Sequence, residues 1–171
     1  MKKGFTLMEI IFVVVIIGGI ISLVMGKILD SSTKSQFFST LQSDAKTIVS
    51  KVSEWKSNSP QYKGDFRNLK DASYLEDYLP SNMPVVKIGS SYYIASSGYG
   101  QYLRYAVKGD SPNSFETDIF YGDVIKDSVT RQKYAKQIGD MFVKMVSDKS
   151  TVKYDLSNAK NGEVKVERIV P

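Results

Sequence analysis

The stretch FTLMEIIFVVVIIGGIISLVMG, Phe5 to Gly26, holds one charged residue, Glu9, in an otherwise apolar run. At about 22 residues it has the length a helix needs to cross a bilayer. Lys2 and Lys3 precede it, so positive-inside bias keeps the N-terminus cytoplasmic and sends the remainder across. Lys27 opposes that bias alone. The run therefore predicts a helix whose first half is transmembrane.

An ordinary secretory signal has a shorter apolar core followed by a small-residue cleavage site. Here the small residue beside the basic leader is Gly4, which stands before the run. Cutting at Gly4 would leave the apolar helix in the mature protein. Glu9 is the residue in need of explanation. A carboxylate inside a membrane helix costs about 2.5–3.5 kcal/mol on insertion scales, and it marks a function and a partner. The run offers no Lys, Arg or His. Cutting after Gly4 would create a partner, the new α-amino group of Phe5. Phe5 and Glu9 lie four residues apart, one turn along the same helix face, so the amine can pair with its own Glu9 or with a neighbour's.

Beyond Lys27 the apolar residues retreat to one face. Phe38, Leu41, Ala45, Ile48, Val52 and Trp55 recur at alternating spacings of three and four, the period of an amphipathic helix. Asn58-Ser59-Pro60 ends it. No breaker separates the two segments, so one long helix is expected from Phe5 to Ser57. A short helix is expected around Ala72 to Tyr78. Runs at Val85–Ile88, Ser91–Ala95, Tyr102–Val107 and Phe115–Tyr121 read as strands of an antiparallel meander. Ser128 opens a second amphipathic helix with Ala135, Ile138, Phe142 and Met145 as its buried stripe and Asp127 or Ser128 as N-cap. Val152–Leu156 and Glu163–Glu167 alternate with period two, and they predict a terminal hairpin with Asn161-Gly162 in its loop.

The chain of 171 residues has no cysteine and no histidine. That excludes disulfides and thiolate metal sites, and it removes the usual general base and commonest metal ligand. No catalytic residue, cofactor or metal is expected, and the chain is not expected to be an enzyme. Lys2 and Lys3 supply two of the five excess positive charges, which leaves little to attract a polyanion. Tyr92, Tyr93, Tyr99, Tyr102 and Tyr105, with Lys87, Arg104 and Lys108, resemble a stacking platform for bases or sugars. Aromatics are also strand formers with one packed face. Packing is the expected use, which leaves nucleic acid a secondary candidate partner. Asp110, Asp118, Asp123 and Asp127 lack the spacing of a calcium loop and are expected as solvated loop carboxylates. Lys133, Lys136, Lys144 and Lys149 are expected on the wet face of the second helix.

Lys3-Gly4-Phe5-Thr6-Leu7-Met8-Glu9, followed by the apolar run, resembles the processing motif of type IV pilins and pseudopilins. The resemblance covers about 30 residues and rests on basic leader, glycine, phenylalanine, glutamate spacing and apolar run together. It implies cleavage by a prepilin peptidase between Gly4 and Phe5, N-methylation of Phe5, and a role for Glu9 in assembly and register. Many pilins carry a helix-breaking proline in the second half of this run, whereas this chain has none before Pro60. Gly18, Gly19 and Gly26 are its weak points, each costing about 1 kcal/mol against alanine.

The expected fold is therefore α+β and pilin-like. It has a long N-terminal helix, its first half transmembrane, on a small antiparallel sheet domain with a further helix and a terminal hairpin. The expected divisions are a leader (1–4), a transmembrane and filament-core helix (5–26), and the amphipathic half-helix with a periplasmic or extracellular globular domain (27–171). The resemblance implies a homo-oligomeric helical filament. Its partners would be the prepilin peptidase, the inner-membrane assembly machinery and, before assembly, the membrane itself. The precursor would reside in the bacterial inner membrane and the mature form in an extracellular pilus. A periplasmic pseudopilus of a type II secretion system is the alternative. A different class of function, a membrane-tethered periplasmic ligand-binding domain, would keep the leader uncut.

Overall fold

The computed structural model of the chain describes residues 7–111, 114–145 and 152–167, with side chains from Ser32 onward except that of Asp110. The first helix, α1, runs Leu7–Asn58. The chain divides into two compact units, Met1–Phe38 and Ser39–Pro171, and the division falls inside α1.

The fold expected from the sequence needs correcting. Among the described residues no helix is long and apolar enough to cross a membrane. Where the side chains of α1 are described, from Ser32 onward, the apolar positions form only one stripe. Lys34, Lys46, Lys51 and Glu54 interrupt the sequence between them, so this portion has the composition of a helix half-covered by protein. In the N-terminal unit the Phe37 and Phe38 rings meet edge-on at 5.2 Å, and the Lys34 ammonium lies 6.0 Å from the Phe38 ring.

The antiparallel meander and the terminal hairpin expected from the sequence both form, and they join in one six-stranded antiparallel sheet, ordered β1-β2-β3-β4-β6-β5. Its strands are β1 Val85–Ile88, β2 Ser91–Ser96, β3 Gly100–Ser111, β4 Ser114–Phe120, β5 Lys153–Asp155 and β6 Glu163–Glu167. The last strand inserts beside β4, pairing Ile119 with Val164 and Thr117 with Val166, and leaves β5 at the edge. The second helix, α2, is Ser128–Val143. Asp127 caps it by accepting from the Thr130 amide at 2.7 Å and from its hydroxyl at 2.6 Å, which satisfies a donor left over at the helix start. Between α1 and β1 the chain makes two 3-10 turns, Phe66–Asn68 and Ala72–Leu75, the second of them beginning where the short helix was expected.

Strand alternation sorts the side chains. Ile94, Tyr105, Val107, Phe115, Ile119, Val164 and Val166 face inward and are fully buried. Leu41, Ala45, Ile48, Val52 and Trp55 of α1, and Ala135, Ile138 and Phe142 of α2, are buried with them. The Trp55 ring meets Phe115 of β4 at 6.3 Å and Tyr74 at 4.9 Å, and Phe142 lies 5.9 Å from Tyr105. Each large apolar side chain so covered contributes about 1.5–3 kcal/mol of transfer free energy. The core is therefore ample for the Ser39–Pro171 unit by itself.

Candidate functional site

The processing residues inferred from the sequence, Gly4 and Phe5, lie outside the described residues. Glu9 lies on the helical backbone of α1, and its side chain is outside the described set.

The tyrosine-rich stretch does not converge into one platform, because period two divides it between opposite faces of the sheet. Tyr105 is fully buried on the inner face, while Tyr102 is more than half exposed. Tyr93 turns outward, meeting Phe120 edge-on at 5.5 Å. The Arg104 guanidinium stands over both rings, at 5.4 and 5.3 Å, and pairs with Asp123 at 3.0 Å. Lys87 stands 5.6 Å from the Tyr92 ring near the sheet edge. Arg104 is thus occupied by intramolecular partners.

Of the aspartates expected in solvent, Asp123 and Asp127 are exposed, Asp118 is not, and the side chain of Asp110 lies outside the described residues. Asp123 binds Arg104 and Lys126, and Asp127 caps α2. Asp118 is 2% exposed and bonded to Lys108. Among the described residues no group of three or more His, Cys, Asp or Glu is placed to hold a metal ion. Lys133, Lys136 and Lys144 are exposed, and Lys149 lies outside the described residues.

Two polar constellations appear that the sequence did not announce. The first is Asp44, fully buried on the sheet-facing side of α1. One carboxylate oxygen accepts from the Ser97 amide at 3.2 Å and the Ser97 hydroxyl at 2.5 Å. The other accepts from the Ser96 hydroxyl at 2.6 Å and the Tyr105 hydroxyl at 2.8 Å. Four donors saturate the carboxylate without a cation, a form in which a buried charge is tolerated. The tyrosine hydroxyl is pushed well above its usual range, by burial first and by the Asp44 charge second. The node ties α1 to the β2–β3 turn.

The second is the outward face of β3, β4 and β6. Here Lys108, Glu116 and Glu167 are aligned in register, as are Ala106, Asp118 and Lys165. Lys108 bonds Asp118 and stands 3.7 Å from Glu116. Lys108, Gly109, Glu116 and Glu167 line an open cleft of about 490 Å³ with Arg67 and Lys70. The Glu116 carboxyl is raised above its usual range, by burial first and then by the neighbouring Asp118.

Comparison with family models, with curated proteins and with solved structures finds no match to this chain.

Proposed function

We propose that this chain is a structural subunit of a type IV pilus-like helical filament. Its precursor would be cut between Gly4 and Phe5 by a prepilin peptidase, N-methylated at Phe5 and placed in register by Glu9. The observation that carries the reading is the segment Lys2–Gly26 itself: basic leader, glycine, phenylalanine, glutamate four residues on, and an apolar run. A filament subunit also needs a body that folds before it assembles. The Ser39–Pro171 unit supports the reading with its own buried core and closed polar node. The proposed course is an inner-membrane precursor handed to assembly machinery, then an extracellular filament.

Two experiments test it. Mass spectrometry of the surface-exposed protein should give Phe5 as N-terminus, carrying a methyl group. Recovery of Met1–Gly4 in that form rejects the proposal and favours a tethered ligand-binding domain. Gly4→Val should leave the precursor uncut. Glu9→Ala should give normal processing with filament yield strongly reduced, because no carboxylate remains for a neighbour's Phe5 amine. Glu9→Gln keeps the shape and loses the charge, so it should behave like Ala. Wild-type yield of sheared filaments from Glu9→Ala removes the register role.

A further inference from the structure

The β3–β4 ladder sets Lys108 opposite Glu116 and Ala106 opposite Asp118. All four positions share the outward face, so Lys108 reaches Asp118 on the diagonal. Its ammonium contacts Asp118 Oδ2 and lies 3.7 Å from Glu116 Oε1. Asp118 is 2% exposed, yet its Oδ1 is buried with no hydrogen-bond partner. An orphan carboxylate oxygen is costly in a pair that serves only as a salt bridge. Lys165 stands opposite Asp118 on β6, but its ammonium is directed to Glu163 at 3.9 Å. An amine, a carboxyl carbon and a second carboxyl beside both are the groups an amide condensation uses.

We propose that Lys108 Nζ and Asp118 Cγ join in an intramolecular amide bond across β3 and β4, with Glu116 as the catalytic acid. Within the ion pair a proton passes from the Lys108 ammonium to the Asp118 carboxylate, giving a neutral amine and a neutral acid. The nitrogen lone pair attacks Cγ and the C–N bond forms. Glu116 donates a proton to the departing oxygen and recovers one from the nitrogen. The C–O bond breaks and water leaves. Ammonium plus carboxylate become a secondary amide plus water, with no change of oxidation state and no further reactant. The bond replaces one carboxylate oxygen with the amide nitrogen and leaves the other as the amide carbonyl.

The surroundings suit the roles. Glu116 must hold a proton to act, and burial with Asp118 beside it favours the protonated form, against Lys108 and Lys165. Burial works to lower the Lys108 ammonium, but Asp118 and Glu116 outweigh it and raise it. The neutral amine is therefore the minor form, and the reaction is a slow maturation. Condensation in water needs a large local concentration, and fixed neighbours supply effective molarities of about 10⁵–10⁸ M. The cleft lined by Lys108 and Glu116 gives the product water an exit.

The test is the intact mass of the purified full-length chain, corrected for its observed N-terminus. Wild type should be one water lighter than its sequence and yield a branched peptide joining Lys108 to Asp118. Lys108→Arg keeps the charge and should show the full mass. Asp118→Asn should form the same bond and lose one ammonia instead. Glu116→Gln should slow the mass change by about a hundredfold or more, the usual contribution of a positioned acid. Wild type of full sequence mass after prolonged incubation, with Lys108 still open to trypsin, overturns the proposal. So does a deficit that survives Lys108→Arg. Neither outcome bears on filament formation, because the proposal does not depend on that reading.

Discussion

Asp44→Ala should be among the most damaging single substitutions in the globular unit, although it removes a charge from a helix. The carboxylate is fully buried, and its removal orphans the hydroxyls of Tyr105 and Ser96, which are also buried. Ser97 is exposed and can turn to water. An orphaned buried hydroxyl costs about 1–3 kcal/mol, so two give roughly 2–6 kcal/mol, against a total stability of about 5–15 kcal/mol for a domain. Asp44→Asn should cost much less. Its carbonyl oxygen can keep the Ser97 amide, the Tyr105 hydroxyl can rotate to accept from the new NH₂ group, and the Ser96 hydroxyl goes on accepting from the Gly98 and Tyr99 amides. Tyr105→Phe removes one donor of four and should cost about 1.5–3 kcal/mol, the range for a bond to a charged group. In the Tyr105→Phe background Asp44→Ala orphans one buried hydroxyl fewer, so its cost should shrink by about 1–3 kcal/mol. Urea unfolding at constant m-value reads these differences directly. An Asp44→Ala cost within about 0.5 kcal/mol, the range of surface substitutions, would refute the argument that the node holds helix to turn.

Trp55 is 7% exposed among Tyr62, Phe66, Tyr74 and Phe115. Its emission should be blue-shifted and move red on unfolding, and Trp55→Ala should cost about 3–5 kcal/mol in the same urea titration. Gly162 has φ 82°, and a Cβ there would lie 2.3 Å from the Gly122 Cα. Gly162→Ala should lower the melting temperature strongly, whereas Gly89→Ala, with φ 64° but open space around it, should be milder. Asp127, Asp155, Asp65 and Asp123 are held below their usual range, chiefly by bonds from Thr130, Ser157, Arg67 and Arg104 respectively. Depressed folded-state values mean stability that is complete above the unfolded value of 3.8 and is lost as pH falls through the folded ones. Glu116, raised, has the opposite sign: its contribution is complete below 4.5 and lost as pH rises. A pH series of thermal melts should therefore show stability falling below 3.8, and a melting temperature that rises there would contradict the balance.

The elements that were legible in the sequence are those decided by near neighbours. The stripe from Leu41 to Trp55 and the Asp127 cap each depend on a few residues in order. Asp44 shows where such reading stops. It lies three residues after Leu41 and four before Ile48, so geometry alone puts it near the buried face. Its charge argued for solvent, and what reverses that argument is Ser96, Ser97 and Tyr105, more than fifty residues away. The same holds for Lys108 and Asp118. Lys108 reads as a neighbour of the tyrosines and Asp118 as a solvated loop carboxylate, and only the register of β3 against β4 makes them meet. The tyrosines are close in sequence, and period two separates Tyr105 from Tyr93 across the sheet. The terminal hairpin was visible as two alternating runs. Its insertion beside β4 was not, because the connection passes through all of α2, and nothing local records which strand is waiting. The processing motif, by contrast, is entirely local, which is why the functional reading rests on sequence while the cross-strand chemistry rests on structure.

A chain without cysteine must close its C-terminal part on the sheet by other means, and the means are concentrated around Arg131. Its guanidinium donates to three backbone carbonyls, Ile125 at 2.5 Å, Gly122 at 2.7 Å and Lys160 at 3.3 Å. The fixed fork of an arginine makes such a three-way tie with little further ordering cost, which a lysine cannot do. Tyr121, at the end of β4, returns the contact by donating its hydroxyl to the Arg131 carbonyl at 2.9 Å and to that of Ala159 at 3.3 Å. Gly122 and Gly162 then approach so closely that neither has room for a side chain, and the Tyr121 amide reaches the Gly162 carbonyl at 2.8 Å. These bonds join the exit of β4, the start of α2 and the turn into β6, which are the three points that must be fixed for β6 to enter beside β4. The contacts that close the C-terminal segment are thus the ones that select its place in the sheet. They also hold in register the strand face on which Asp118 meets Lys108, so the proposed cross-strand bond would form on a ladder already fixed from its far end.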